Sequence, residues 1–136
     1  MIAVDASALL KYILHEEGWE RVRKLVRERR PLYSLDHVVK EVGNAIWRHC
    51  YLRGVIRREV ALELYQAFMG LVRSGVVILE PETKYLREAL ELALDHGITV
   101  YDSLYVAQAR GQGELLTCDR GQAEVASKIG VRVLLA

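Results

Sequence analysis

Four acidic residues in distant stretches of this 136-residue chain stand where a carboxylate can do chemistry: Asp5, Glu41, Asp102 and Asp119. Asp5 ends the apolar run Ile2-Ala3-Val4 just before Ala6-Ser7, Asp119 follows Leu115-Leu116-Thr117-Cys118, and Asp102 sits between Tyr101 and Ser103. A short apolar run that opens into an acid and then a helical pattern reads as a buried parallel strand whose C-terminal end carries the carboxylate to the rim of the sheet. Open α/β sheets bind their ligands at that rim. Gathered there, two carboxylates about 5 Å apart repel by roughly 3 kcal/mol at an effective dielectric of about 20. Such a cluster either holds protons at neutral pH or takes up a cation. Hard oxygen donors, with no His/Cys cluster beside them, favour Mg2+ or Mn2+ over Zn2+.

Each aspartate also has a simpler reading. Asp5, Asp102 and Asp119 all precede helical patterns, where an Asp side chain commonly caps the first turn. Capping and ligation are compatible, because helix N-termini at the carboxyl rim lie close together in this architecture. Glu41 borders an apolar helix stripe formed with Val38 and Ala45, so it must pair, protonate or meet a cation. Its simpler reading is a salt bridge to Lys40 or Arg48. Asn44, the only Asn in the chain, lies one turn further on and is placed to orient Glu41 or a water. His15, His37, His49 and His96 show no ligand spacing and read as surface or capping residues. Cys50 and Cys118 read as ordinary buried thiols of a reducing compartment.

The elements that must position these groups follow from periodicity. Strands are expected near residues 2–5, 32–35, 76–79, 115–118 and 131–135. Helices are expected near 6–14 and 18–29, then from a cap at Asp36 to about Gly54, and over 57–73. A further helix runs from Pro81 or Glu82 to about residue 95, with His96-Gly97 as its C-terminal cap. After the short Ile98-Thr99-Val100 stretch, Asp102 is expected to open a helix over 103–109, followed by a Gly111-Gln112-Gly113 loop; the last helix spans 122–129. Strands that alternate with helices make a parallel sheet covered on both faces the economical architecture, and the length suits one domain over residues 1–136.

With 51% apolar residues the chain can bury a core, which excludes disordered and fibrous classes. A formal charge of +1 gives no global basic field, so any polyanion must be bound by a local patch. Arg21, Arg23, Lys24, Arg27, Arg29 and Arg30 crowd the second helix, where Glu20 and Glu28 balance them as a solvated face. Arg53, Arg57 and Arg58 form a second cluster. Trp47 and Tyr51, an i,i+4 aromatic pair, read as core or interface packing in preference to a base-stacking platform. No leader or long uncharged span is legible, so a cytoplasmic protein without membrane association is expected.

Four motifs follow one another along the chain: Val4-Asp5-Ala6-Ser7, Glu41-Val42-Gly43-Asn44-Ala45, Val100-Tyr101-Asp102-Ser103-Leu104-Tyr105 and Leu115-Leu116-Thr117-Cys118-Asp119-Arg120. Taken in order, they resemble the PIN-domain ribonucleases, particularly the short VapC-like toxins of toxin-antitoxin systems. Each alone is a weak signal, while the ordered set spans essentially the whole chain. The resemblance implies an α/β fold, a three-layer α/β/α arrangement around a five-stranded parallel sheet of order 3-2-1-4-5. It also implies a metal-dependent endoribonuclease with Mg2+ or Mn2+ as cofactor, RNA as substrate, 5′-phosphate products, a cognate antitoxin and a homodimer. Position by position, Asp5, Glu41, Asp102 and Asp119 take the acidic roles, with Ser7, Asn44 and Thr117 as polar support; Cys118 departs mildly from the small residue common in its slot.

The chemistry suits these residues, since phosphodiester hydrolysis needs an activated water and a stabilised pentavalent charge, which divalent ions held by carboxylates supply. Asp5, Asp102 and Asp119 are expected to hold the principal ion, and Glu41 a second ion or the water. One alternative is a binding module of the same fold without turnover. A receiver-like phospho-acceptor is disfavoured: it would want a lysine after the last strand and an acid pair after the first, whereas the chain ends Leu135-Ala136 and offers only Asp5.

Overall fold

Short apolar runs are extended and amphipathic segments helical throughout the computed structural model, which describes residues 1–136. The strands are β1 (Ile2–Val4), β2 (Leu32–Leu35), β3 (Val77–Glu80), β4 (Glu114–Thr117) and β5 (Arg132–Leu135). The helices are α1 (Ala6–Ile13), α2 (Trp19–Arg29), α3 (Val38–Trp47), α4 (Arg58–Arg73), α5 (Leu86–His96), α6 (Val100–Gln112) and α7 (Arg120–Lys128). All strand pairs are parallel, in the order β3-β2-β1-β4-β5, as the resemblance implied. Ala3 of β1 is in register with Tyr33 on one side and Leu115 on the other.

That order makes β1 the central strand, and Ile2, Ala3 and Val4 are accordingly buried. The chain first builds outward through β2 and β3, then crosses back to β4 on the other side of β1. Right-handed crossovers therefore put the first four helices on one face and the last three on the other. Consistent with this, α1 packs against α2, α3 and α4, while α6 packs against α5 and α7. Phe68 from one layer and Tyr105 from the other are among the largest fully buried side chains. The reversal of strand order opens a crevice at the carboxyl ends of β1 and β4, where Asp5 and Asp119 follow.

Several local expectations are corrected. The helix expected to run from Asp36 to Gly54 ends at Trp47 and continues as a π-helical turn over Arg48–Leu52, in which the Arg53 N–H donates to the Arg48 carbonyl at 3.0 Å. An extra residue in one turn leaves the polar-apolar pattern almost unchanged, so periodicity does not register it. Asp36 does not cap that helix: its Oδ1 accepts from the Glu82 N–H at 3.0 Å. A 3-10 turn over Glu82–Lys84 precedes α5, which starts at Leu86. Asp102 does not open α6, because Thr99 is its N-cap and accepts from the Asp102 N–H at 3.2 Å. Thr99 followed three residues later by Asp102 is a capping-box spacing. At its other end α6 absorbs the expected Gly111-Gln112 loop and stops at Gly113, whose φ of +114° suits only glycine. No helix is long and apolar enough to cross a membrane.

Candidate active site

Asp5 leaves β1 at the sheet's rim and caps α1, its Oδ1 accepting from the Ala8 N–H at 3.0 Å. Ser7 Oγ lies 2.8 Å from both of its oxygens, and Thr117 Oγ1, at the end of β4, donates to Oδ2 at 2.7 Å. The same two hydroxyls accept from the next loop: Thr117 Oγ1 from the Asp119 N–H and Ser7 Oγ from the Cys118 N–H, each at 2.9 Å. The rims of β1 and β4 are thus stitched together through Asp5. Only 1% of Asp5 is exposed, and burial pushes its carboxyl up to about 6 against the lowering effect of the Ala8, Thr117 and Ser7 hydrogen bonds, with the Asp119 charge adding to the rise.

Asp119 caps α7 by accepting from the Gln122 N–H at 3.0 Å, and the Gln122 side-chain N–H donates to Asp102 Oδ1 at 3.1 Å. Asp102, in the first turn of α6, is half-buried; burial raises its carboxyl, helped by the Asp119 and Glu41 charges and opposed by the Gln122 hydrogen bond. One turn along α6, Tyr105 donates its hydroxyl to Glu41 Oε1. Burial and the charges of Glu41, Asp5 and Asp102 all raise the Tyr105 hydroxyl, so it remains a donor at any physiological pH. Residues 5, 41, 102 and 119 therefore form one patch, linked through Thr117, Gln122 and Tyr105.

The histidine reading needs correction at His37, which is neither superficial nor a side-chain cap. It is 4% exposed, with its ring 5.1 Å from that of Tyr105 and 5.9 Å from that of Tyr101, and its Nε2 lies 2.9 Å from Glu41 Oε1. That approach is close but poorly angled for a hydrogen bond. Burial alone would raise the Glu41 carboxyl; His37 and Tyr105 outweigh it and hold Glu41 below the usual carboxylate range. Neither Lys40 nor Arg48 pairs with Glu41. Asn44 is exposed and reaches no partner, although it lines one hollow with Glu41, His37 and Tyr101. Both cysteines are half-buried free thiols, more accessible than expected. Trp47 and Tyr51 stack with ring centroids 5.8 Å apart but are 48% and 76% exposed, so they are not core residues.

The donor set suits a divalent cation. All four carboxylates offer hard oxygens, Asp5 and Asp102 are raised by burial and by the Asp119 charge, and the buried Oε1 of Gln122, whose side-chain N–H binds Asp102, lacks a hydrogen-bond partner. No three His, Cys, Asp or Glu side chains close into a direct cage. That spacing fits an ion that keeps several waters between itself and the protein, as Mg2+ does. Sequence reasoning overlooked Gln122, Tyr105 and His37 as partners of the acids. Gln122 carried a signal, since an acceptor cap with Gln three residues on is a capping-box spacing.

The model of the PIN domain family matches residues 2–128. The chain belongs to the PIN domain family. Ribonuclease VapC3 of Pyrobaculum aerophilum is 38% identical over 124 residues, covering 90% of this chain and 92% of that one. Exonuclease VapC9 of the same organism is 32% identical over 134 residues, covering 97% and 91%. Among solved structures, Mycobacterium tuberculosis VapC20, described as a sarcin-ricin loop cleaving toxin, superposes with a TM-score of 0.72 over the whole of both chains at 17% identity, which speaks for the fold alone.

Proposed function

We propose that this PIN domain is a metal-dependent endoribonuclease, the toxin of a toxin-antitoxin pair, that hydrolyses RNA phosphodiester bonds. The names of its relatives support the ribonuclease class. The observation that carries the reading is the continuous patch Asp5–Thr117–Asp119–Gln122–Asp102, with Glu41 held beside it by Tyr105.

Asp5, Asp102 and Asp119 would hold Mg2+ or Mn2+, with Ser7 and Thr117 fixing the Asp5 oxygens; Asn44 would act only at the outer edge. Bound there, the ion supplies positive charge to the phosphoryl oxygens and acidifies water. Glu41 is held ionised, and its Oε2 has no hydrogen-bond partner because Tyr105 and His37 both address Oε1. In this reading it would orient the attacking water and take its proton. Water adds to phosphorus, the bond to the 3′-oxygen breaks, and that oxygen leaves with a solvent proton, giving a 5′-phosphate. The apolar groove between α3 and α4, lined by Ile46, Trp47, Tyr51, Ala61, Leu62 and Tyr65, suits a segment of the antitoxin. The exposed α5 stripe of Leu86, Leu90 and Leu94 suits a second copy in a homodimer. A cytoplasmic setting fits these roles.

The test is cleavage of total cellular RNA in Mg2+ or EDTA with the ends mapped, an Asp102→Ala control, and a circular RNA arm that only an endonuclease opens. Mn2+ binding without hydrolysis of any RNA would turn the reading to a non-catalytic binding module.

A further inference from the structure

Beside the acid patch lies a second concavity that the chemistry above does not use. It is a cleft of about 530 Å3 between α1 and the π-helical turn, with Ser7 and Cys118 at its inner end and Lys11, Arg48, His49 and Arg53 along its walls. None of the four acids lines it, but Ser7 hydrogen-bonds Asp5 and Cys118 precedes Asp119, so the cleft adjoins the acid patch through these two residues. The catalytic patch is anionic and would repel RNA, and the chain's charge of +1 gives no general attraction. Attraction has to come from somewhere local.

Lys11, Arg48 and Arg53, like most basic residues of the chain, form no ion pair with a carboxylate, and these three share one cleft. In an α-helix two residues five apart point about 140° away from each other. The π-helical turn, closed by the bond from the Arg53 N–H to the Arg48 carbonyl, is wider, which reduces that separation, and both residues line the one cleft. His49 is fixed between them by its Nδ1 contact of 3.0 Å with the Ala45 carbonyl. The hollow on the other side of Glu41 offers one basic residue, Lys40, so the two approaches to the site differ in charge. Glu16 and Glu17, on the loop after α1, also line the cleft, so its cations outnumber its acids only by the contribution of Arg48 and Arg53 on the opposite element.

We infer that this cleft is the entry track for the RNA strand, with backbone phosphates on one side of the scissile bond held by Lys11, Arg48 and Arg53 and the bond itself at the acid patch. The inference rests on the nuclease reading above and adds the route and its polarity. Guanidinium groups suit the task because they hold phosphate oxygens in pairs.

The test is binding of a fluorescent single-stranded RNA oligonucleotide to the chain in EDTA, over a range of KCl, beside steady-state cleavage in Mg2+. Arg48 and Arg53 are exposed, so R48Q/R53Q should keep the native melting temperature. Two lost phosphate contacts should flatten the slope of log K against log [KCl] by about 1.4. KM should rise at least tenfold with kcat nearly unchanged, whereas R23Q/R27Q on α2 should alter neither. An unchanged slope and KM in R48Q/R53Q would overturn the inference and leave the cleft to a protein ligand. Failure of the nuclease reading looks different: RNA would bind with the same R48Q/R53Q slope change, but the wild-type chain would cut nothing.

Discussion

Replacing Asp5 by Asn should destroy activity and yet stabilise the metal-free protein, with a sign that depends on pH. Asp5 is almost wholly buried, and its carboxyl is raised from 3.8 to about 6. At about 1.4 kcal/mol per unit, ionised Asp5 costs the folded state about 3 kcal/mol. The folded chain holds this proton more tightly than the unfolded chain. The cost is therefore absent below about pH 3.8, grows between there and about 6, and is complete above. Asn keeps the acceptor for Ala8 but presents an extra donor toward the Ser7 and Thr117 hydroxyls, which costs about 1 kcal/mol. In EDTA at pH 8 the variant should be the more stable by about 2 kcal/mol, roughly 6 °C in Tm. Near pH 3.5 it should be the less stable by about 1 kcal/mol. Urea unfolding at the two pH values measures both differences, and adding Mg2+ at pH 8 should stabilise the wild type alone. Equal destabilisation of D5N at both pH values, or Mg2+ stabilising both chains alike, would refute the account of Asp5 as a hydrogen-bonded carboxylate whose charge burial disfavours until a cation binds.

Two further substitutions probe the neighbouring acids. Tyr105→Phe removes one of the two contacts that hold Glu41 low, so the acid limb of kcat/KM should move to higher pH while stability falls by only about 1 kcal/mol; an unmoved limb would separate Tyr105 from Glu41's ionisation. At the end of β3, Glu80 receives Lys84, Gln108, Tyr85 and Gln112, and these hydrogen bonds overcome its burial to bring it down to about 2. Glu80→Gln should therefore lower the Tm at pH 7, with the gap narrowing as acid titrates the wild type from about 4.5 toward 2. A gap that is the same at pH 7 and pH 3 would mean the lost interactions do not depend on the charge.

The acids at the strand ends were legible because each is a local event. The apolar runs before Asp5 and Asp119 mark buried strands, and both side chains do cap the following helix, so capping and membership of the patch coincide. The strand order came from the family resemblance and not from periodicity, which counts elements without saying which are neighbours. Thr99 was passed over because a hydroxyl cap three residues before Asp102 competes with Asp102 itself as the cap, and only the backbone dihedrals decide between them. His37 looked like a surface residue because nothing local announces that Tyr101 and Tyr105, far along the chain, will enclose it.

By itself, then, the sequence determined the alternation of strands and helices and the acids presented at their junctions, since hydrophobic period and capping act within a few residues. Only tertiary structure decided that Gln122 spans Asp102 and Asp119, that Tyr105 and His37 converge on one oxygen of Glu41, and that a π-helical turn brings Arg48 and Arg53 to one cleft. Those outcomes depend on burial and on charges brought together from separate layers of the fold, and such energies have no local imprint to read.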